Sequence, residues 1–238
     1  MKLIDKKENL LAFSIKTNET LANSLRRMVH QIPIITVDEV DILKNDSPLY
    51  DETIAHRIGL IPLKMEKSFK GTDVKKLKMS SNKEGMVYSK DLKGDVEVVY
   101  EGIPIAPIGE GQSLEIHART KIGKGEEHSK FSPGLVYYRM ISEVTMDKEF
   151  KEDFAKAFQN KEIKEHGNSI VVKDDSVRTI VDFCEGLAKK AGKEVEVKDS
   201  DEIIFIIESF GQITAEEIFK KVLDLLKKDL VKVSKNLK

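Results

Sequence analysis

Between Glu202 and Ser209 the chain reads EIIFIIES, an uninterrupted apolar run of the kind found in strands buried on both faces. Such a strand needs neighbours on either side and cover above and below, so the chain must build a layered structure around it. Within five residues the pattern changes. TAEEIFKKVLDLLKKDL opens with Thr214 and, three residues later, Glu217, the pair that forms a capping box. Ile218, Val222, Leu225, Leu226 and Leu230 then recur at helical spacing as an expected buried face, which predicts a terminal helix of about 20 residues, ~30 Å long. A helix of that length in a small domain often packs on a partner chain.

The amino-terminal end follows the same alternation. LLAFSI, Leu10 to Ile15, reads as a strand, and TNET supplies Thr and Asn as helix caps. In TLANSLRRMVHQIP, the residues Leu21, Leu25, Met28, Val29 and Ile32 draw one stripe that Pro33 ends, with Arg26 and Arg27 off it. IITVDEVDIL is strand-like but changes parity: Ile35 and Val37 share one face, Val40 and Ile42 the other. A bulge near Asp38 and Glu39 reconciles them.

Between these ends the signals are shorter. In SPLYDETIAHRIGLIPLK, Ser47 is the expected cap, Pro48 the first helical residue and Gly59 the stop, with Pro62 beyond. From Ser68 to Lys93 the polar, lysine-rich composition predicts surface structure with short strands rather than core. DVEVVY and SLEIHART read as strands, the second with Leu114, Ile116 and Ala118 facing one way and Glu115, His117 and Arg119 the other. LVYYRMISEVTM is a further strand. A helix carrying Phe150, Phe154 and Phe158, a strand SIVV, a helix through VRTIVDFCEGLAKKAG stopped at Gly192, and a charged strand EVEV then read as a small unit of their own.

Composition narrows the function. At 238 residues, two domains or one domain with a large insert is the expectation. Forty basic residues balance 41 acidic ones, so no long-range field selects nucleic acid, and a DNA-binding module would also need a basic recognition helix that is missing. Cys184 is the only cysteine, which excludes an internal disulfide and a CxxC metal knuckle and fits a reducing compartment with this thiol packed as a small apolar side chain. MKLIDKKENL lacks the apolar core of a signal peptide, and no eighteen apolar residues run together, so a cytoplasmic, non-membrane chain is expected.

The most chemically suggestive stretch is IGKGEEHSKFSPG, Ile122 to Gly134. It lacks the GxxxxGK[ST] spacing of a phosphate loop, and Glu126 with Glu127 repels an anion. His128 beside Ser129 does not make a triad, because neighbours in sequence point apart. Glu52 and His56 stand i, i+4 without the second histidine of an HExxH site, and the other histidines lack ligand spacing. No catalytic or metal-ligating residue is expected. A free-standing, nucleotide-dependent enzyme built on the 122–134 loop is the alternative reading.

Four stretches in order along nearly the whole chain, TLANSLRRMVHQIP, DETIAHRIGLIPL, GKGEEHSKFSPG and IESFGQITAEEIFKKVL, resemble the family of archaeal RNA polymerase D subunits. That family is kin to the third subunit of eukaryotic polymerase II and to the amino-terminal domain of the bacterial alpha subunit. The third stretch is similar to the family loop GKEHAKWSPG, with one extra residue and Phe131 where the family has Trp. The resemblance implies an α+β fold: a dimerisation domain of sheet and long helices from residues 1–42 and 200–238, a mainly-β insert domain at 43–146, and a small degenerate ferredoxin-like domain at 147–199. It implies a non-catalytic assembly platform that pairs with the L subunit, joins the small zinc-binding N and P subunits, and nucleates docking of the second-largest and largest subunits, without direct contact to nucleic acid. The polymerase active site, with its magnesium, belongs to the largest subunit, so this chain is a subunit of a nucleotidyltransferase rather than an enzyme by itself.

The resemblance points to Leu21, Leu25, Met28, Ile218, Val222, Leu225 and Leu226 as the dimer layer, undivided between contacts within the chain and contacts to its partner. It places Arg26 and Arg27 toward the second-largest subunit, Arg57 at the border with large and small neighbours, and Lys124, His128, Lys130 and Phe131 on a contact loop. Many relatives hold an iron–sulfur cluster in the third domain; with Cys184 alone, a cluster-free version without cofactors is expected.

Overall fold

A computed structural model describes residues 1–66, 68–69 and 73–236. In chain order the strands and helices are β1 (Lys2–Lys6), β2 (Leu10–Lys16), α1 (Glu19–Met28), β3 (Ile34–Asn45), α2 (Asp51–Gly59), β4 (Lys76–Ser81), β5 (Gly85–Tyr88), β6 (Lys93–Gly94), β7 (Pro104–Ile108) and β8 (Leu114–Gly123). They continue with β9 (Gly134–Asp147), α3 (Lys151–Ala157), β10 (Ile163–His166), β11 (Ser169–Asp174), α4 (Val181–Lys190), β12 (Glu196–Ser209) and α5 (Ala215–Asn236). Helices and antiparallel strands mix throughout, an α+β fold. The chain divides into two compact units, residues 1–26 with 136–207 and residues 27–135 with 208–238.

The first unit is built on a six-stranded sheet in the order β1-β2-β12-β9-β11-β10. The apolar run that dominates the sequence lies in β12, flanked by β2 and β9, and Ile203 to Ile207 are all buried, as a strand covered on both faces requires. Phe13 and Phe205 meet with ring centroids 5.7 Å apart, and Tyr138 stacks on Phe205 at 6.4 Å. The segment expected to stand apart as a small unit is joined to this sheet: β11 pairs antiparallel with the second half of β9, from Ser169 opposite Asp147 to Asp174 opposite Ser142. Phe150, Phe154, Ile180 and Cys184 are buried in one cluster with Val144 and Met146 of β9. The long β9 therefore carries one sheet across both regions.

The second unit holds a four-stranded sheet, β3-β8-β4-β6, and a two-stranded pair, β5-β7. The expected bulge in β3 is present: its register against β8 shifts between Val37 and Glu39, so Val40 and Ile42 pack against the same cluster that buries Ile35 and Val37. On β8, Leu114, Ile116 and Ala118 are buried while Arg119 is exposed and reaches Glu39 at 2.8 Å and Asp41 at 3.4 Å.

Four sequence expectations change. First, α2 begins at Asp51, not at Pro48, because the Ser47 hydroxyl is used in a local turn: Asn45 Oδ1 accepts from the Ser47 backbone and hydroxyl, and Ser47 Oγ accepts from Leu49 N. Second, the lysine-rich region contributes to the core. In β4, Lys76 and Lys78 point out while Leu77 and Met79 are fully buried, an alternation hidden by the frequency of lysine. Third, DVEVVY forms no strand beyond an isolated bridge between Val98 and Leu63. Fourth, Leu230 is 61% exposed rather than buried. The boundaries drawn at 42/43 and 199/200 fall inside single strands, β3 and β12.

Candidate subunit interface

The suggestive loop and the residues after α1 are tied together. The His30 ring Nδ1 lies 3.0 Å from Ser132 Oγ, Gln31 Nε2 donates to Glu126 Oε2 at 2.5 Å, and Lys124 Nζ donates to Gln31 Oε1 at 3.2 Å. Lys130 Nζ donates to the Val37 carbonyl at 3.1 Å and to Asp38 at 3.0 Å, and sits 5.0 Å from the centroid of the Phe131 ring. Phe131 itself is buried.

Close packing accounts for the glycines. A Cβ on Gly123 would stand 2.7 Å from the Phe131 ring, and one on Gly125 would stand 2.8 Å from His30 Nδ1 and 2.9 Å from Ser132 Oγ. Neither glycine has positive φ, so it is space that forbids a side chain. His128 Nδ1 accepts from the Lys130 backbone N–H at 3.1 Å, capping the 3-10 turn Ser129–Phe131. Its ring therefore shapes the loop instead of serving the neighbouring Ser129 as a base. Lys124 and Lys130 are engaged within the chain, which leaves the loop no open cradle for phosphate.

The remaining sequence-named residues are distributed over both units. In the first, Leu25 is buried, Leu21 is 43% exposed, and Arg26 donates to Asn23 Oδ1 through Nε at 3.2 Å and Nη2 at 2.9 Å. In the second, Arg27 is exposed, Met28 is half-buried, and Arg57, exposed on α2, donates from Nη1 to the Ile105 carbonyl at 2.8 Å. On α5, the capping box is formed: Glu217 N donates to Thr214 Oγ1 at 3.2 Å and Thr214 N to Glu217 Oε2 at 3.3 Å. Ile218 and Val222 are buried and Leu225 and Leu226 half-buried, while Leu223, Leu230, Val231 and Val233 are exposed.

Sequence reasoning passed over Gln31, Ser132 and Gln212. The first two mattered only through partners some hundred residues away. Gln212 lies in one of the four resembling stretches, which was the one available signal. With Leu60 and Pro62 from another of those stretches and Lys130 from a third, it lines a cleft of about 380 Å³.

No group of three or more His, Cys, Asp or Glu side chains able to hold a metal occurs among the described residues. Cys184 is fully buried, and desolvation first, then Asp174 and Glu185, pushes its thiol up to about 12. An iron–sulfur cluster needs several thiolates; one neutral thiol inside a core does not fit it. No helix of the described residues is long and apolar enough to cross a membrane.

Residues 29–135 match the RNA polymerase Rpb3/RpoA insert domain, a span that coincides with the 27–135 segment of the second compact unit. This defines the class, an alpha-like RNA polymerase component. DNA-directed RNA polymerase subunit Rpo3 of Pyrococcus furiosus is 35% identical over 95% of this chain and 92% of its own length, and that of Pyrococcus horikoshii 33% over 95% and 93%. The Rpo3 of Archaeoglobus fulgidus is 29% identical over 99% of this chain and 96% of its own. The chain belongs to the Rpo3 family, the archaeal D subunits of DNA-directed RNA polymerase.

Proposed function

We propose that this chain is the assembly platform of a cytoplasmic DNA-directed RNA polymerase, without catalytic residues of its own. It pairs with an L-type subunit, joins the small zinc-binding N and P subunits, and then docks the second-largest and largest subunits. The observation that carries this reading is on α5. Leu223, Leu226, Leu230 and Val233 fall at i, i+3, i+7 and i+10, one stripe along the helix, and Leu223, Leu230 and Val233 are 43%, 61% and 56% exposed. A solvated helix of 22 residues, ~33 Å long, does not gain from such a stripe, whereas a partner helix covering it contributes about 1.5–3 kcal/mol per large side chain.

Within that reading, Leu21 and Met28 are contact residues on α1 and Leu225 and Leu226 on α5. Leu25, Ile218 and Val222, buried in the chain, support the partner-facing layer from within. Arg26, Arg27 and Arg57 are contacts to the larger subunits. Of the loop residues, His128 meets a neighbour directly, and Lys124, Lys130 and Phe131 hold the loop in shape for it. The region 147–199 is a cluster-free version of the family's third domain, supported by the burial of Cys184, and 1–42 with 200–238 and 43–146 are the dimerisation and insert regions by role. Co-expression with an L-type partner tests the proposal: a 1:1 complex is expected, and a chain that stays monomeric beside that partner contradicts it.

A further inference from the structure

Three of the four segments that carry the family resemblance converge on one cleft in the second unit. Leu60 and Pro62 follow α2, Lys130 comes from the 3-10 turn of the loop, Phe210 and Gln212 from the turn before α5, and Tyr100 and three serines, Ser129, Ser132 and Ser209, complete the wall. Three large side chains at its rim stay open to solvent: Leu60 at 48%, Phe210 at 45% and Tyr100 at 43%. At the same time Gln212 is only 6% exposed, and its amide is half used. Nε2 donates to the Ser132 carbonyl at 3.4 Å, while the solvent-sealed Oε1 has no hydrogen-bond partner among the described residues.

The turn that presents these groups is prebuilt. Gly211, between Phe210 and Gln212, has φ +95°, and a Cβ there would stand 2.4 Å from Val99 Cγ1. Ser209 Oγ accepts from Gly211 N at 2.9 Å, and the Phe210 amide donates to the Pro133 carbonyl at 3.0 Å. A buried acceptor without a donor carries a desolvation cost, which is removed when the Gln212 amide turns into the cleft toward something that brings an N–H or O–H on an apolar body. Lys130 is already paired with Asp38, so no unpaired charge from that wall calls for an ionic partner. A space of about 380 Å³ with these walls accepts an aromatic ring and the backbone that carries it.

We infer that this cleft is a docking site for a Trp or Tyr side chain of another polymerase subunit, its ring between Phe210, Leu60 and Tyr100 and its N–H or O–H donated to Gln212 Oε1. Amphipathic aromatics of this kind are the side chains that anchor interfaces. The inference rests on the platform reading, and pairing with the L-type partner is scored separately so that the two fail independently.

The test is photo-crosslinking in the assembled polymerase, with Phe210→p-benzoylphenylalanine and, in a second preparation, Tyr100→p-benzoylphenylalanine. Crosslinking to a segment of another subunit that contains a Trp or Tyr is expected. Changing that residue to Leu should weaken recruitment of its subunit at least about 30-fold. The same change made together with Gln212→Leu should add little further loss. Preparations that pair with the L-type partner but crosslink to no other subunit, to a second copy of this chain, or to a segment without Trp or Tyr overturn the inference, as does full additivity of the two changes.

Discussion

Arg139 grips Asp174 through two parallel hydrogen bonds, Nη1 to Oδ2 at 2.9 Å and Nη2 to Oδ1 at 2.8 Å, with the carboxylate side chain fully buried and the guanidinium 19% exposed. The same guanidinium donates to the carbonyls of Met140 and Ser176. The pair locks the end of β11 to β9 and shapes the chain that leads into α4. Asp174→Ala leaves a largely buried cation with only backbone carbonyls as partners and should destabilise the fold by about 3–5 kcal/mol. Arg139→Met with Asp174→Leu, which removes both charges, should cost less than Asp174→Ala alone. Urea denaturation of the three proteins decides, and equal losses contradict the pairing argument.

A second electrostatic prediction concerns acid stability. Glu165 on β10 accepts from Lys148 Nζ at 2.5 Å and Lys151 Nζ at 2.6 Å, and these two hydrogen bonds and charges, Lys148 first, hold its carboxyl down at about 2, against an ordinary value of 4.5. A carboxylate whose folded value is depressed contributes stability above its unfolded value and loses it as pH falls toward the folded one. Glu165→Gln should therefore flatten the stability profile between about pH 4.5 and 2 and leave little change below it. Because the groups are solvent-exposed, the effect should shrink in high salt. A carboxyl titration by NMR with a midpoint near 4.5 contradicts the account.

Cys184 gives a chemical test of the third region. Its thiol is buried, and that burial pushes it up to about 12, so iodoacetamide at pH 8 should not label the folded chain and should label it after unfolding. Incubation with iron and sulfide should add no visible absorption from a cluster. Rapid labelling of the folded chain, or a stable chromophore, contradicts the proposed cluster-free packing.

The loop glycines supply a steric prediction. Gly125→Ala places a methyl 2.8 Å from His30 Nδ1 and should cost about 1–3 kcal/mol or displace the loop, and Phe131→Ala, emptying a buried site, about 3–5 kcal/mol. Thermal melts of the chain alone check both. A Phe131→Ala protein as stable as the parent would place that ring at a partner rather than in the core.

Local patterns explain what was readable beforehand. The parity switch between Val37 and Val40 announced the β3 bulge, the Thr214–Glu217 spacing announced the start of α5, and the run from Ile203 to Ile207 announced a central strand, because each signal lies within a few residues. The burial of β4, not its presence as a short strand, was hidden because two lysines alternate with Leu77 and Met79, and composition outweighed period. The loop posed a different difficulty. Its chemistry depends on His30 meeting Ser132 and Lys130 meeting Asp38, pairings separated by more than ninety residues that no local spacing encodes. Leu25 and Val222 looked like partner contacts because a stripe shows periodicity but not which chain covers it; both are buried within this one.

That distinction identifies the most direct measurement. Leu230 is 61% exposed on the stripe of α5, so Leu230→Glu should leave the melting temperature of the isolated chain unchanged. In the pair it would bury an uncompensated charge worth several kcal/mol, weakening association with the L-type partner by at least about 100-fold in sedimentation or titration calorimetry. Undiminished pairing by a normally folded Leu230→Glu chain would contradict the claim that α5 is the platform's docking surface.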